Sequence, residues 1–199
     1  MTDLNYRAFK IFPTPIHYIN LKNFNDKRDD LIKYGYDLKN EEDGRNTSNV
    51  GGFQSQHIFV NDTEDVLHNI LIDTMSNIPS FRDGLNMKCI AWVNINPPNA
   101  FHTKHCHPKC DIAGVLWVKA PENSGHIIFT SPYEFISHRE IYSYTDDFRE
   151  DMKYYETYTY PPREGAMMLF PSHLQHRVDV NQSNEDRISI SFNISILDV

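Results

Sequence analysis

Five of the ten histidines fall in two short clusters, His102, His105 and His107, then His173 and His176. In extended backbone His105 and His107 project to one side with Cα atoms about 7 Å apart, and Cys106 projects to the other. Two imidazoles so placed can converge on one metal ion if a neighbouring strand brings a third ligand. A histidine standing alone at a strand end is usually an ordinary polar residue. The second cluster, Leu169-Phe-Pro-Ser-His-Leu-Gln-His176, supplies the neighbour, because it follows a short apolar strand. Eleven residues after His176 comes Arg187, with Ser189 on the same strand face. Metal chemistry with an oxo-acid cosubstrate needs imidazole-based ligation with open coordination positions. It also needs a cation and a hydroxyl at the far end of the pocket for the distal carboxylate. His105, His176, Arg187 and Ser189 make up that set. The competing reading puts Arg187, Ser189 and Asn193 on the solvent side of an antiparallel strand, which alternates in the same way.

These residues must be positioned by strands. After Asn86 the hydrophobic period is two: Met87, Cys89, Ala91, Val93 and Ile95 share one face, and Lys88, Ile90, Trp92, Asn94 and Asn96 the other. Asp111–Lys119, Gly125–Thr130 and Gly165–Phe170 read as further strands, with Phe101–Pro108 at a strand end or in a loop. From Arg187 to Ile196 the alternation is clearest, with Ile188, Ile190, Phe192, Ile194 and Ile196 opposite Arg187, Ser189, Ser191, Asn193 and Ser195. Upstream, Lys10–Leu21 suits an edge strand because of Pro13 and Pro15. Asp26–Leu38 suits a surface helix, and Gly44–Gly52 a loop. A second helix is capped by Thr63, carries Glu64 and Asp65 in its first turn, and ends at Pro79. Pro132–Pro162 holds seven of the eleven tyrosines and reads as a long insertion that partly forms strands. Helices followed by many short strands predict a mainly β (α+β) fold, a sandwich or barrel with helical cover. The expected organisation is one domain over 1–199, with a helical and strand cover over 1–86 and the β core over 87–199.

Charge and composition exclude several classes. There are 19 Lys plus Arg against 27 Asp plus Glu, a net charge of −8, which disfavours a general binder of nucleic acid. Uninterrupted apolar runs reach five residues, far short of a membrane span. The first residues lack the basic and apolar regions of a secretory leader, and three cysteines make no fully paired framework. The expected location is therefore the cytoplasm.

The order and spacing of several segments resemble the 2-oxoglutarate/Fe(II)-dependent dioxygenases, and within them a group of 2OG-Fe(II) oxygenases common in bacteria and phages. These segments are His105-Cys-His-Pro108, Ala113-Gly-Val-Leu-Trp117, Gly125-His-Ile-Ile-Phe129, Leu169-Phe-Pro-Ser172, His176-Arg-Val178 and Arg187-Ile-Ser-Ile-Ser-Phe-Asn193. The resemblance covers about Met87 to Leu197. It implies a double-stranded β-helix, a cupin-like jelly roll, with the N-terminal helices packed on it. It also implies Fe(II) and 2-oxoglutarate as cofactors, and a hydroxylase that couples decarboxylation of 2-oxoglutarate to succinate with oxidation of a substrate C–H bond. Carried over by position, His105 and His176 are iron ligands, Arg187 pairs with the 5-carboxylate and Ser189 assists. Trp92, Asn94, Leu116 and Asn193 would line the pocket.

One departure from the family pattern stands out. Its usual His-x-Asp/Glu has His107 where the carboxylate belongs. Either His107 is the third ligand, giving a three-histidine site, or a carboxylate arrives from elsewhere, with Asp111 and Asp179 as the local candidates. Position favours His107.

Two other classes compete with the oxygenase. Cys106, Cys110, His173 and His176 have the donor types of a structural zinc site, but that reading leaves His105, His107 and Arg187-x-Ser189 unexplained. A non-catalytic jelly-roll binding module would keep the fold without the chemistry. The expected substrate is a small molecule or a protein side chain. A homodimer is expected only because two-fold dimers are the commonest assemblies.

Overall fold

In a computed structural model, residues 6–60, 66–133 and 139–197 are described. The elements in chain order begin with β1 (His17–Asn20), α1 (Asn25–Glu41), β2 (Asn49–Val50), β3 (Phe53–Gln54), β4 (Ile58–Phe59) and α2 (Val66–Ser76). There follow β5 (Met87–Asn96), β6 (Phe101–His105), β7 (Ile112–Lys119), β8 (Ile127–Thr130), α3 (Arg139–Ser143) and α4 (Asp146–Met152). The chain closes with β9 (Thr157–Tyr160), β10 (Ala166–Pro171), β11 (His176–Val178) and β12 (Arg187–Ile196). Among the described residues, no helix is long and apolar enough to cross a membrane.

The strands form two antiparallel sheets. The larger runs β1-β10-β7-β12-β5-β3, with β4 also pairing β5, and the smaller runs β2-β6-β11-β8-β9. The period-two pattern explains the layers. The apolar faces of β5 and β12 (Cys89, Ala91, Val93 and Ile95; Ile188, Ile190, Phe192 and Ile194) pack with Leu31 of α1 and with Leu67, Leu71 and Met75 of α2. Each such buried side chain contributes about 1.5–3 kcal/mol. Gly35 lets α1 come this close, since a Cβ there would stand 3.2 Å from Val93 Cγ1. A second core lies between the sheets, built from Val115 and Trp117 of β7, Ile127 and Phe129 of β8, and Met168 and Phe170 of β10. This two-sheet arrangement is a double-stranded β-helix with helices on the outer face of the larger sheet.

Several expectations change in detail. Of Lys10–Leu21 only His17–Asn20 is strand, and it is the edge strand, paired to β10 alone. The expected loop over Gly44–Gly52 contains β2, which pairs with β6. Strands β1 to β4 thus join both sheets rather than only covering them. Helix α2 ends at Ser76, ahead of Pro79; Thr63, Glu64 and Asp65 lie outside the described residues. The Pro132–Pro162 stretch forms α3 and α4 before β9. Thr145 caps α4, its hydroxyl accepting the Phe148 N–H at 3.3 Å.

Candidate active site

Strand pairing sets the histidine geometry. His105, the last residue of β6, lies directly opposite His176, the first of β11. The register then slips, so that His102 faces Val178: three residues of β6 span two of β11. This bulge turns His102 inward as well, against the expected alternation. His107 lies two residues beyond β6, tied there by its backbone N–H donating to the Ser172 carbonyl at 2.8 Å. The three rings form a cluster, with centroids 4.4 Å apart for His105 and His176 and 5.2 Å for each of the other pairs. One ligand atom from each lies within 4.8 Å of the others.

Hydrogen bonds fix which nitrogens face the centre. His105 Nδ1 is 2.7 Å from the Thr103 carbonyl and His176 Nδ1 is 3.0 Å from the Leu174 carbonyl. A carbonyl only accepts, so both Nδ1 atoms carry the proton and both Nε2 atoms keep a lone pair for a metal. His107 Nε2 stands 3.4 Å from His176 Nε2, a separation suited to two ligands of one ion. Burial, then the neighbouring His105, holds His107 down to about 4; burial, with His105 and His107, holds His176 down to about 3. His105 is lowered by burial too, against the opposing bond to Thr103. All three are therefore neutral at physiological pH, the form that binds metal.

The polar face of β12 points inward, which decides the reading its alternation left open. Arg187, Ser189, Ser191, Asn193 and Ser195 line the same cavity, of about 560 Å³, as the three histidines. Arg187 is 2% exposed. Its Nη1 donates to the carbonyls of Ser124 and of Gly125, the latter at 3.3 Å. Gly125 has φ +95°, and a Cβ there would stand 2.7 Å from that same Nη1. Burial lowers the Arg187 pKa to about 10, so the group stays charged. Among the described residues no carboxylate pairs with it. A buried cation without a counter-ion is costly, and it borders a cavity that can admit one.

Other expected positions divide. Trp92 lines the cavity, and its ring stacks on His107 at 5.8 Å. The Asn193 side chain faces the His107 ring. Asn94 is fully buried below the wall, donating to Ser191 Oγ at 2.9 Å. Leu116 belongs to the helix-side core rather than the pocket, because β7 turns it to the opposite face from Val115 and Trp117. Asp111 is exposed and accepts the Ile196 N–H at 2.8 Å, and Asp179 pairs with Arg177 at 2.5 Å on the surface. Neither joins the histidine group among the described residues. Nor do Cys106, Cys110 and His173, the last of them exposed, so the proposed zinc set is not assembled.

His102, given no role by its place in the first cluster, belongs to this site. It is buried, its Nε2 is 3.0 Å from Asn96 Oδ1, and burial with nearby Arg187 lowers its pKa to about 3. Arg45, Gln54 and His57 also line the cavity and were not singled out as site residues. Arg45 and His57 lie outside regular strands, where no period marks an inward face.

The sequence profile of the family described as "Putative 2OG-Fe(II) oxygenase" matches residues 90–193, just over half of the chain. The chain belongs to that family. This oxygenase uses Fe(II) and 2-oxoglutarate, and the neutral imidazoles and the unmatched Arg187 of one cavity fit both. No curated protein matches it in sequence. Among solved structures, a Pseudomonas putida prolyl-4-hydroxylase is similar, with a TM-score of 0.63 at 14% identity, covering 93% of this chain and 94% of that one. HygX from Streptomyces hygroscopicus, with nickel and 2-oxoglutarate bound, has a TM-score of 0.57 at 9% identity, over 92% of the oxygenase and 83% of HygX. A prolyl hydroxylase from Trichoplax adhaerens, in complex with a hypoxia inducible factor peptide, has a TM-score of 0.58 at 12% identity, over 91% and 83%. At these identities the likeness is one of fold.

Proposed function

We propose that the oxygenase is a hydroxylase in which His105, His107 and His176 hold Fe(II), while Arg187 and Ser189 hold the 5-carboxylate of 2-oxoglutarate. The observation that carries this reading is the buried, unmatched Arg187 in the same cavity as three neutral imidazoles. Bound Fe(II) supplies the activation of dioxygen, coupled to decarboxylation of 2-oxoglutarate to succinate and carbon dioxide, with one oxygen atom entering a substrate C–H bond.

The protein's part is positioning. The Thr103 and Leu174 carbonyls orient two ligand rings through their Nδ1 protons. The Ser124 and Gly125 carbonyls anchor one Nη of Arg187, and its remaining donors are free to fork onto a carboxylate. Ser189, 7% exposed on the same face, offers a hydroxyl. Trp92, Trp117 and Phe170 make an apolar wall that excludes water.

Replacing Arg187 and His176 separately tests the assignment. Arg187→Ala weakens 2-oxoglutarate binding and leaves iron bound, whereas His176→Ala loses iron. Equal effects of the two substitutions on both ligands would contradict it.

A further inference from the structure

The cavity wall has a charge pattern that iron and 2-oxoglutarate do not exhaust. Among the described residues lining it there is no aspartate or glutamate, although the chain carries 27 acids. Its charged lining residues are Arg45, Lys109 and Arg187. Under the reading above, on which this inference rests, three neutral histidines leave iron its two positive charges. Dianionic 2-oxoglutarate offsets two of the three positive charges of iron and Arg187. One positive charge remains, and Arg45 and Lys109 add two more.

Arg45 is fixed and incompletely matched. Its Nε donates to the Ser55 carbonyl at 2.8 Å, its Nη1 is 2.6 Å from His57 Nε2, and its guanidinium lies over the Trp92 ring at 5.6 Å. Its Nη2 is buried without an acceptor. Glu42, the acid whose charge acts on it, has Oε1 engaged by the Gln56 N–H at 2.7 Å and makes no ion pair with Arg45. The Arg45 N–H is bonded to the carbonyl of Gln54, whose side chain also lines the cavity. Gln54 is 4% exposed, and its Oε1 has no donor.

The Arg45 guanidinium lies at the level of Trp92, while Gln54, paired with Asn94, lies between that level and Arg187. On β5, Asn96 faces Arg187 and Trp92 faces Ser191, four residues apart, which is about 13 Å of strand. Arg45 lies over Trp92 and Trp92 stacks on His107, so one ring joins Arg45 to the histidine cluster.

We propose that Arg45, with Gln54 beside it, is the subsite that recognises a carboxylate on the substrate, so that the oxygenase acts on a small organic acid. The carboxylate is held at Arg45, Gln54 takes a neighbouring polar hydrogen, and the rest of the molecule runs along Trp92 toward the histidine cluster.

The chain's two tryptophans, Trp92 and Trp117, both line the cavity, so their fluorescence reports its occupancy. The test loads the protein with Mn(II) and saturating 2-oxoglutarate, then titrates the straight-chain acids from acetate to hexanoate. The matching amides and alkylamines serve as controls. Carboxylates should give a saturable change, with amides weaker by about tenfold or more and amines silent. Arg45→Met should erase the preference for carboxylates, Arg45→Lys should keep it, and 2-oxoglutarate affinity should be unchanged in both. Amides or amines binding as well as the acids would overturn the proposal. So would the absence of saturation by any acid, or a carboxylate preference that survives Arg45→Met. Failure of the unaltered protein to bind 2-oxoglutarate would instead overturn the cofactor-site assignment beneath it.

Discussion

His105 and His176 face each other across the antiparallel pairing of β6 and β11, with ring centroids 4.4 Å apart. Their separation is therefore set by a backbone ladder. The Thr103 and Leu174 carbonyls, each two residues before its histidine, then set the rotation of the two rings. Ligands carried on strands and oriented by backbone acceptors need little reorganisation to receive a metal. His107 is placed differently, on a short extension held by the Ser172 carbonyl.

Arg187→Ala removes a buried charged donor pair from the cavity. A hydrogen bond to a charged group contributes about 1.5–3 kcal/mol, so the Kd for 2-oxoglutarate should rise by about ten- to a hundredfold. Iron stoichiometry should not change. Calorimetric titration of the metal-free variant with Fe(II), and then of the loaded variant with 2-oxoglutarate, reads both quantities.

Gly125→Ala should act on the same site from outside it. The added methyl falls 2.2 Å from the Asp179 carbonyl oxygen and 2.7 Å from Arg187 Nη1, at a backbone φ of +95°, so the loop that holds Arg187 must shift. The expected result is weaker 2-oxoglutarate binding with normal iron content. Unchanged cosubstrate affinity in a folded variant would show that Arg187 need not hold its observed position.

Asp111→Asn separates the two candidates for the third ligand. Its carboxylate accepts the Ile196 N–H, so the substitution should cost some stability at the end of β12 and leave iron affinity intact. Loss of iron from a folded Asp111→Asn protein would make Asp111 a ligand, whereas His107→Ala should lower iron binding strongly.

Acidification should destabilise the metal-free protein. His102 and His176 have folded pKa values of about 3, and His107 about 4, all below the unfolded value of about 6.5. The unfolded chain then binds more protons between these limits, so stability falls as pH drops from about 6.5 toward 4, by up to about 1.4 kcal/mol per pH unit for each such group. Thermal melts across that range should show the decline, and His102→Phe should make it shallower. A flat profile would mean that these imidazoles are not held neutral by burial.

Much of this architecture is legible in the residues. The alternation of β12 marked its boundaries and its two faces, and the spacing from His176 to Arg187 and Ser189 put these residues on β11 and β12, where they line one cavity. What alternation could not say is which side the polar face of β12 meets; that depends on the second sheet standing over it. Leu116 was misplaced for a related reason, since its neighbours Val115 and Trp117 are equally apolar and β7 is covered on both faces. His102 was hidden by the bulge in β6, which breaks the period of two between it and His105. Strands β2, β3 and β4 have two residues each, too few for any period, and with them Gln54 escaped notice.

The most direct measurement is an anaerobic titration of the metal-free protein, first with Fe(II) and then with 2-oxoglutarate, followed by visible absorption. With three histidines and Arg187 acting as proposed, a weak charge-transfer band appears only when both are present, and it is absent from Arg187→Ala at the same cosubstrate concentration. Iron that binds without any band on addition of 2-oxoglutarate, or a band unaffected by loss of Arg187, would contradict the account.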